Sequence, residues 1–380
     1  MAQKRWLRRL GTGALAAWIS LTALGAVQVS GVPDLTAGLL IAGSFFTDPA
    51  AAISAADRMF EQSQTAAAPV PQPIAPTPQP SAAPEPTPAP AAAPESGQGP
   101  TAQPPPLPPP ETPPENAGQI VERHYPQGEG DLYIRCGAGT IKNNTSLSGQ
   151  KIRDAVDAGM PFTIDLQSSE PQVLIMHTHT TESFELTEKD WYDPAYTARR
   201  TDLALNMAAV GEKIAEQLNG AGIVTLHDTT LHDYPSYNGS YQRSSETVQQ
   251  YLAQYPSIKV VLDVHRDAIE PRDGQRVSAV AQIGERKAAQ VMIICGADKN
   301  GNLPNFKKNL GFAAAWQNAM ESRFPGLTRP VLFDYRYYNQ DLTTGSLLIE
   351  VGSHGNSLEQ ACYSGELIGN ALVGLFTTGA

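Results

Sequence analysis

From Gln172 onward the chain alternates short apolar runs with longer segments whose apolar residues recur every three or four positions. Gln172–His177 (Gln-Val-Leu-Ile-Met-His) is a continuous apolar run with the length and composition of a buried strand. Asp202–Asn219 carries Leu205, Val210, Ile214 and Leu218 at helical spacing, and Gly220 and Gly222 end it. Ile223–Leu226 predicts a second strand, and Tyr241–Tyr255 a helix stopped by Pro256. Strands are predicted over Ile258–Val264, Val277–Ile283 and Gln290–Cys295, then a helix over Asn305–Arg323 ended by Pro325-Gly326. Val331–Asp334 and Ser346–Val351 read as strands, and Ser357–Phe376 as a closing helix. This alternation implies an α/β fold: a single mixed or parallel sheet flanked by helices, with active residues just beyond the strands' carboxyl ends.

Upstream the pattern changes twice. Lys4, Arg5, Arg8 and Arg9 precede an uncharged run from Leu10 to about Val29. At ~1.5 Å per residue such a run covers about 30 Å, the hydrocarbon thickness of a bilayer. The basic flank puts residues 1–9 in the cytoplasm and the rest of the chain outside. The run is longer than the apolar region of a cleaved signal, which favours an uncleaved transmembrane anchor over 10–29; a removed secretory signal is the competing reading. Residues 30–64 form a juxtamembrane segment, whose apolar stretch Leu35–Phe46 is too short to span. Residues 65–119 are a disordered Pro/Ala-rich linker: of 32 prolines, 20 fall between Pro69 and Pro114. Proline at that density permits neither helix nor sheet. Extended polyproline at ~3.1 Å per residue would let it reach up to ~140 Å. The PxxP matches at Pro73–Pro76 and Pro105–Pro108 are what such a composition yields by chance, so a spacer is the better reading. The remaining 120–380 form the extracytoplasmic domain, about 260 residues, enough to bury a sizeable core.

Charge and cysteine usage narrow the class. With 27 basic and 38 acidic side chains the net charge is −11, which argues against nucleic acid as partner. Cys136, Cys295 and Cys362 lie far apart and make no disulfide framework. There is no HExxH, no GxSxG and no phosphate-binding GxxxxGK[ST] motif.

Ionisable residues collect at the ends of three predicted strands: His177-Thr-His179-Thr-Thr-Glu182, Asp263-Val-His265-Arg266-Asp267, and Glu350-Val-Gly-Ser-His354. On an extended segment His177 and His179 would point to the same side. Imidazoles with a carboxylate are the donor set that suits zinc, with one position left for water. The candidate ligands are His179, His177, Glu182 and His265. Glu350, in an otherwise apolar run, has the setting of a general base. His354, in a Gly-rich loop, is expected to be solvated or substrate-facing. His124, His227 and His232 are expected to be hydrogen-bonded core or rim residues.

Taken together, His177–Ser183, Tyr237-Asn-Gly-Ser-Tyr241, Asp263–Ala268, Tyr338-Asn-Gln340 and Leu348–Gly352 resemble the stage II sporulation protein P family. That family is similar in fold to the zinc-dependent N-acetylmuramoyl-L-alanine amidases. The resemblance implies hydrolysis of the bond between muramic acid and the stem peptide of peptidoglycan, with a further activity on peptide cross-links. It also implies Zn2+ as cofactor, the sporulation septum as location, and a lytic transglycosylase and a membrane scaffold protein as partners. Mapped onto this chain, the first metal histidine is His179, with His177 its rival, the second is His265, and the base is Glu350. Glu182 is the carboxylate ligand, with Asp202 its substitute. Arg266 would steady a substrate carboxylate or the oxyanion, or else form a plain salt bridge. Two other classes remain, a peptidoglycan-binding recruitment module without catalysis and a tethered metallopeptidase.

Overall fold

The computed structural model describes residues 112–271 and 274–378. The expected anchor, the juxtamembrane segment and the linker up to residue 111 lie outside them. Among the described residues no helix is long and apolar enough to cross a membrane.

In chain order the elements are β1 (Gly118–Arg123), β2 (Tyr133–Cys136), β3 (Gly139–Asn143), α1 (Gly149–Asp157), β4 (Val173–Met176), β5 (Trp191–Tyr192), α2 (Met207–Gly220), β6 (Thr225–His227) and α3 (Ser240–Gln254). They continue with β7 (Val260–Asp267), β8 (Arg276–Ile283), β9 (Arg286–Ala289), β10 (Val291–Gly296), α4 (Phe306–Arg323), β11 (Val331–Asp334), β12 (Gly345–Ser353) and α5 (Leu358–Thr378). The main sheet has the order β2-β3-β11-β10-β12-β7-β4-β6. Strands β12, β7, β4 and β6 run parallel, while β10 pairs antiparallel with β12 and carries β11 and β3 in its own direction.

The expectation of a single sheet is corrected. A second, four-stranded sheet of order β5-β1-β8-β9 takes in the Val277–Ile283 strand. The second half of that strand shows the burial of one covered on a single face: Ala279 and Ala281 are buried while Val280 is half-buried and Gln282 exposed. Strand β1 starts at Gly118, so folded structure begins within the stretch assigned to the linker. Helix α2 starts at Met207 instead of Asp202, because Asn206 caps it by accepting from the Ala208 N–H.

The strands of the main sheet divide their side chains with period two. Val173 and Ile175 of β4, Val260, Leu262 and Val264 of β7, and Leu347, Ile349 and Val351 of β12 enter the larger core. There they meet Ile152 of α1, Ile214 of α2, Trp316 of α4 and Ile368 of α5. Leu174, Met176 and Val261 point the other way and pack with Val248 of α3. Each large apolar side chain so buried contributes about 1.5–3 kcal/mol relative to exposure.

Candidate active site

The alternation that sorts the core also sorts the chemistry. In β7, Asp263 and His265 share the α3 side with Val261; in β12, Glu350 lies between the core residues Ile349 and Val351 and takes that same side. His265 and Glu350 are register partners on neighbouring parallel strands. The register slips directly after Glu350, where Gly352 adopts φ 63°. Such an irregularity bends the strand and re-aims the side chain beside it.

By the same rule His177, following Val173 and Ile175, belongs to the opposite face. Its Nδ1 donates to the Val264 carbonyl at 2.8 Å, and its Nε2 lies 2.9 Å from His227 Nε2. His227 Nδ1 in turn lies 3.0 Å from Glu212 Oε2. Gly211 makes the space, since a Cβ there would stand 2.6 Å from both Nε2 atoms. Burial, with the charge of His227 adding to it, pushes the His177 imidazole down to about 3. The expectation that His177 and His179 point the same way is thus corrected. Strand β4 ends at Met176, and residues 178–181 turn. Both ring nitrogens of His177 are engaged inside the protein, and the structure does not bring it to the other candidates.

The turn carries His179 over to the α3 side. Its ring stacks on Tyr237 at 4.5 Å and 11°, and meets His265 edge-on at 5.2 Å and Tyr241 at 5.4 Å. Its Nδ1 is buried without a hydrogen-bond partner, 3.9 Å from Asp233 Oδ2. Burial first, and the neighbouring His265 second, push this imidazole down to about 4. Glu182 places Oε2 3.6 Å from His265 Nδ1 and accepts from the Arg266 N–H at 3.3 Å. Burial alone would raise its carboxyl, but the Arg266 charge and then His265 hold it far below the usual carboxylate range. Asp202, its substitute, is exposed and accepts from the Ala204 N–H at 3.0 Å.

Glu350 Oε2 is buried and has no hydrogen-bond partner. Burial, reinforced by Asp267, pushes this carboxyl up to about 8. Arg266, expected either to steady substrate or to form a plain salt bridge, is only 8% exposed. Its Nε donates to Ser183 O at 2.9 Å, its Nη2 to Ala198 O at 2.9 Å and its Nη1 to Asp267 O at 3.2 Å. The guanidinium therefore clasps the main chain. His354 is likewise buried, not solvated, with Nε2 2.9 Å from Glu270 Oε1.

Residues given no role from the sequence complete the surroundings. Asp263 lies 2.8 Å from His265 Nε2 through Oδ1, which also accepts from the Thr178 N–H at 2.8 Å. Its two-residue spacing from His265 in a strand was the signal for it. Asp233 accepts from the Thr181 N–H and hydroxyl and pairs with Arg199 at 2.7 Å. Asp233 and Tyr237 sit on the irregular segment between β6 and α3, where no periodicity marks them.

Among the described residues no three His, Cys, Asp or Glu donors stand closed around one metal point. In kind the set fits zinc: His179 keeps a buried Nδ1 without a hydrogen bond, and the Glu182 carboxylate faces His265 Nδ1 at 3.6 Å.

The family model for stage II sporulation protein P (SpoIIP) matches residues 109–373. The stage II sporulation protein P of Bacillus subtilis (strain 168) is 31% identical over 199 residues, which span 50% of this chain and 47% of that protein. Of the curated relative's length, then, the match covers about half. Among solved structures, the N-acetylmuramoyl-L-alanine amidase AmiC2 of Nostoc punctiforme is 13% identical with a TM-score of 0.32, over 56% of this chain and 98% of that one. The CwlD amidase from Clostridioides difficile, in complex with the GerS lipoprotein, is 15% identical with a TM-score of 0.31, over 55% of this chain and 100% of that one. At such scores the two structural likenesses decide nothing about chemistry.

Proposed function

Because the chain belongs to the stage II sporulation protein P family, we propose that it is a peptidoglycan hydrolase of the sporulation septum. Its cut is the amide joining the lactyl group of N-acetylmuramic acid to L-alanine of the stem peptide. The observation that supports this reading best is the gathering of His179, Glu182 and His265 on the face where Glu350 stands beside His265. His179, Glu182 and His265 would hold zinc, which when bound supplies Lewis-acid activation of water and of a carbonyl oxygen. Glu350 takes the proton of the attacking water at its carboxylate and delivers it to the leaving nitrogen, so that the amide yields a lactyl carboxylate and a free amine. Burial and the Asp267 charge make the Glu350 carboxylate a stronger base than a free one, which suits it to take that proton. Residues 10–29 would anchor the chain in the cytoplasmic membrane, and the linker would carry the catalytic domain out to the wall. A lytic transglycosylase and a membrane scaffold protein are the proposed partners.

The test is mass spectrometry of the soluble products formed from cross-linked peptidoglycan by the full-length chain in detergent with zinc, beside Glu350→Gln. Stem peptides with a free L-alanine amine, from the wild type alone, are the expected result. Products cut only within the peptides would replace amidase by endopeptidase. Wall binding without any product would favour a recruiting module.

A further inference from the structure

We infer that Asp263 is a positioning residue: it orients the His265 ring so that Nδ1 is the nitrogen presented to the metal. This rests on the zinc reading of the site given above.

The two nitrogens of His265 have different neighbours. Nε2 lies 2.8 Å from Asp263 Oδ1, a close charge contact that the present ring angle keeps out of hydrogen-bond alignment, and it has no other polar partner. Nδ1 faces Glu182 Oε2 at 3.6 Å. A metal-binding imidazole is oriented through its second nitrogen, and an acceptor there settles which nitrogen is left for the metal. Asp263 is placed for that task by the strand itself, because residues two apart in β7 share a face.

The carboxylate is also held from the other side. Its Oδ1 accepts from the Thr178 N–H at 2.8 Å and its Oδ2 from the Thr178 hydroxyl at 2.7 Å. Thr178 Oγ1 lies 2.8 Å from Ser244 Oγ on α3, which fastens the arrangement to the helix. Thr178 belongs to the turn that carries His179 across the sheet end. One buried carboxylate thereby ties the strand bearing His265 to the turn bearing His179, and the separation of the two imidazoles depends on it.

The experiment measures the zinc dissociation constant of the full-length protein by competition with a chromophoric chelator, for wild type, Asp263→Asn, Asp263→Ala and Thr178→Val. The visible spectrum of the cobalt-substituted forms is the second readout, since it reports ligand geometry. Loss of an orienting partner typically weakens a metal site ~10–100-fold. Asp263→Asn is expected near the lower end of that range and Asp263→Ala near the upper, each with an altered cobalt spectrum. Asp263→Asn keeps an oxygen for the Thr178 N–H and so guards against loss of folding in the alanine variant. Thr178→Val, which leaves the His265 contact in place, should bind zinc more tightly than either. A purely structural Asp263 would lower the unfolding temperature of the metal-free protein while the folded Asp263→Ala and Asp263→Asn forms both bound zinc like wild type with an unchanged cobalt spectrum, and that result overturns the inference. Wild-type protein that takes up no zinc overturns the zinc reading itself and the inference with it.

Discussion

His177 and His179 stand two residues apart in the sequence and finish on opposite faces of the sheet. His177 closes a chain of contacts through His227 to Glu212, both of its nitrogens engaged and Gly211 packed against it. His179 lies beyond the turn, stacked on Tyr237, with a buried Nδ1 that nothing satisfies. The rings are equally well buried, so burial does not separate them. What separates them is whether the protein already uses the donor and acceptor sites. An imidazole whose nitrogens are both taken is a structural part, and one with a nitrogen left over is available for chemistry.

That contrast can be attacked from either side. The largest expected effect is on zinc: His179→Ala and His265→Ala should each weaken uptake more than ~100-fold, beyond what loss of a supporting residue causes. His177→Ala should leave the affinity of the folded protein nearly unchanged, and chelator competition compares all three. The same His177→Ala should instead cost about 2–4 kcal/mol in stability, through a cavity and an unpaired Val264 carbonyl and His227, read from thermal unfolding of the metal-free protein. Gly211→Ala would push a methyl group against both rings of the His177 pocket and should destabilise by about 1–3 kcal/mol, with zinc affinity intact. Tyr237→Ala removes the stacked face from His179, a contact worth about 0.5–1.5 kcal/mol, and should weaken zinc binding ~2–10-fold while Tyr237→Phe restores it. Glu212→Gln is the smallest change. Its side chain is 59% exposed, the hydrogen bond to His227 survives, and stability should move by less than ~0.5 kcal/mol.

Much of this was legible in the residue pattern. The strands that carry the site, β4, β7 and β12, announce themselves as apolar runs, and His265 and Glu350 follow because both sit inside regular strand where period two holds. The same rule, applied from Val173 through Ile175 to His177, separates His177 from His265. It failed for His179 only because β4 stops at Met176, and a strand's last residue is weakly marked in sequence. Glu182 was reachable as the one carboxylate close behind the two histidines. For Arg266 the sequence left a substrate contact and a salt bridge open, and its main-chain partners were out of reach. A cation beside a candidate ligand looks functional, and the carbonyls of Ser183 and Ala198 that occupy it come from a distant loop that no local pattern joins to it. The small sheet was missed likewise, since β1 starts within the stretch assigned to the linker, β5 is only two residues long, and their pairing is non-local.

The clasp made by Arg266 has a consequence for added chain length. Between Ser183 and Ala198 the chain leaves the site and returns, and the two ends of that excursion are knotted together. Ser183 N–H donates to Ala198 O at 3.0 Å, Arg200 N–H to Thr181 O at 2.7 Å, and the Arg266 guanidinium to the carbonyls of Ser183 and Ala198. Pro194 and Ala195 lie exposed within the loop. Since each doubling of a flexible loop costs only about 0.6 kcal/mol in closure entropy, residues can be inserted at that point without drawing on the neck. Glu182, just inside the knot, keeps its place beside His265 whatever length hangs beyond it. The fold thus offers a margin where added length can be absorbed while the donor set stays in place.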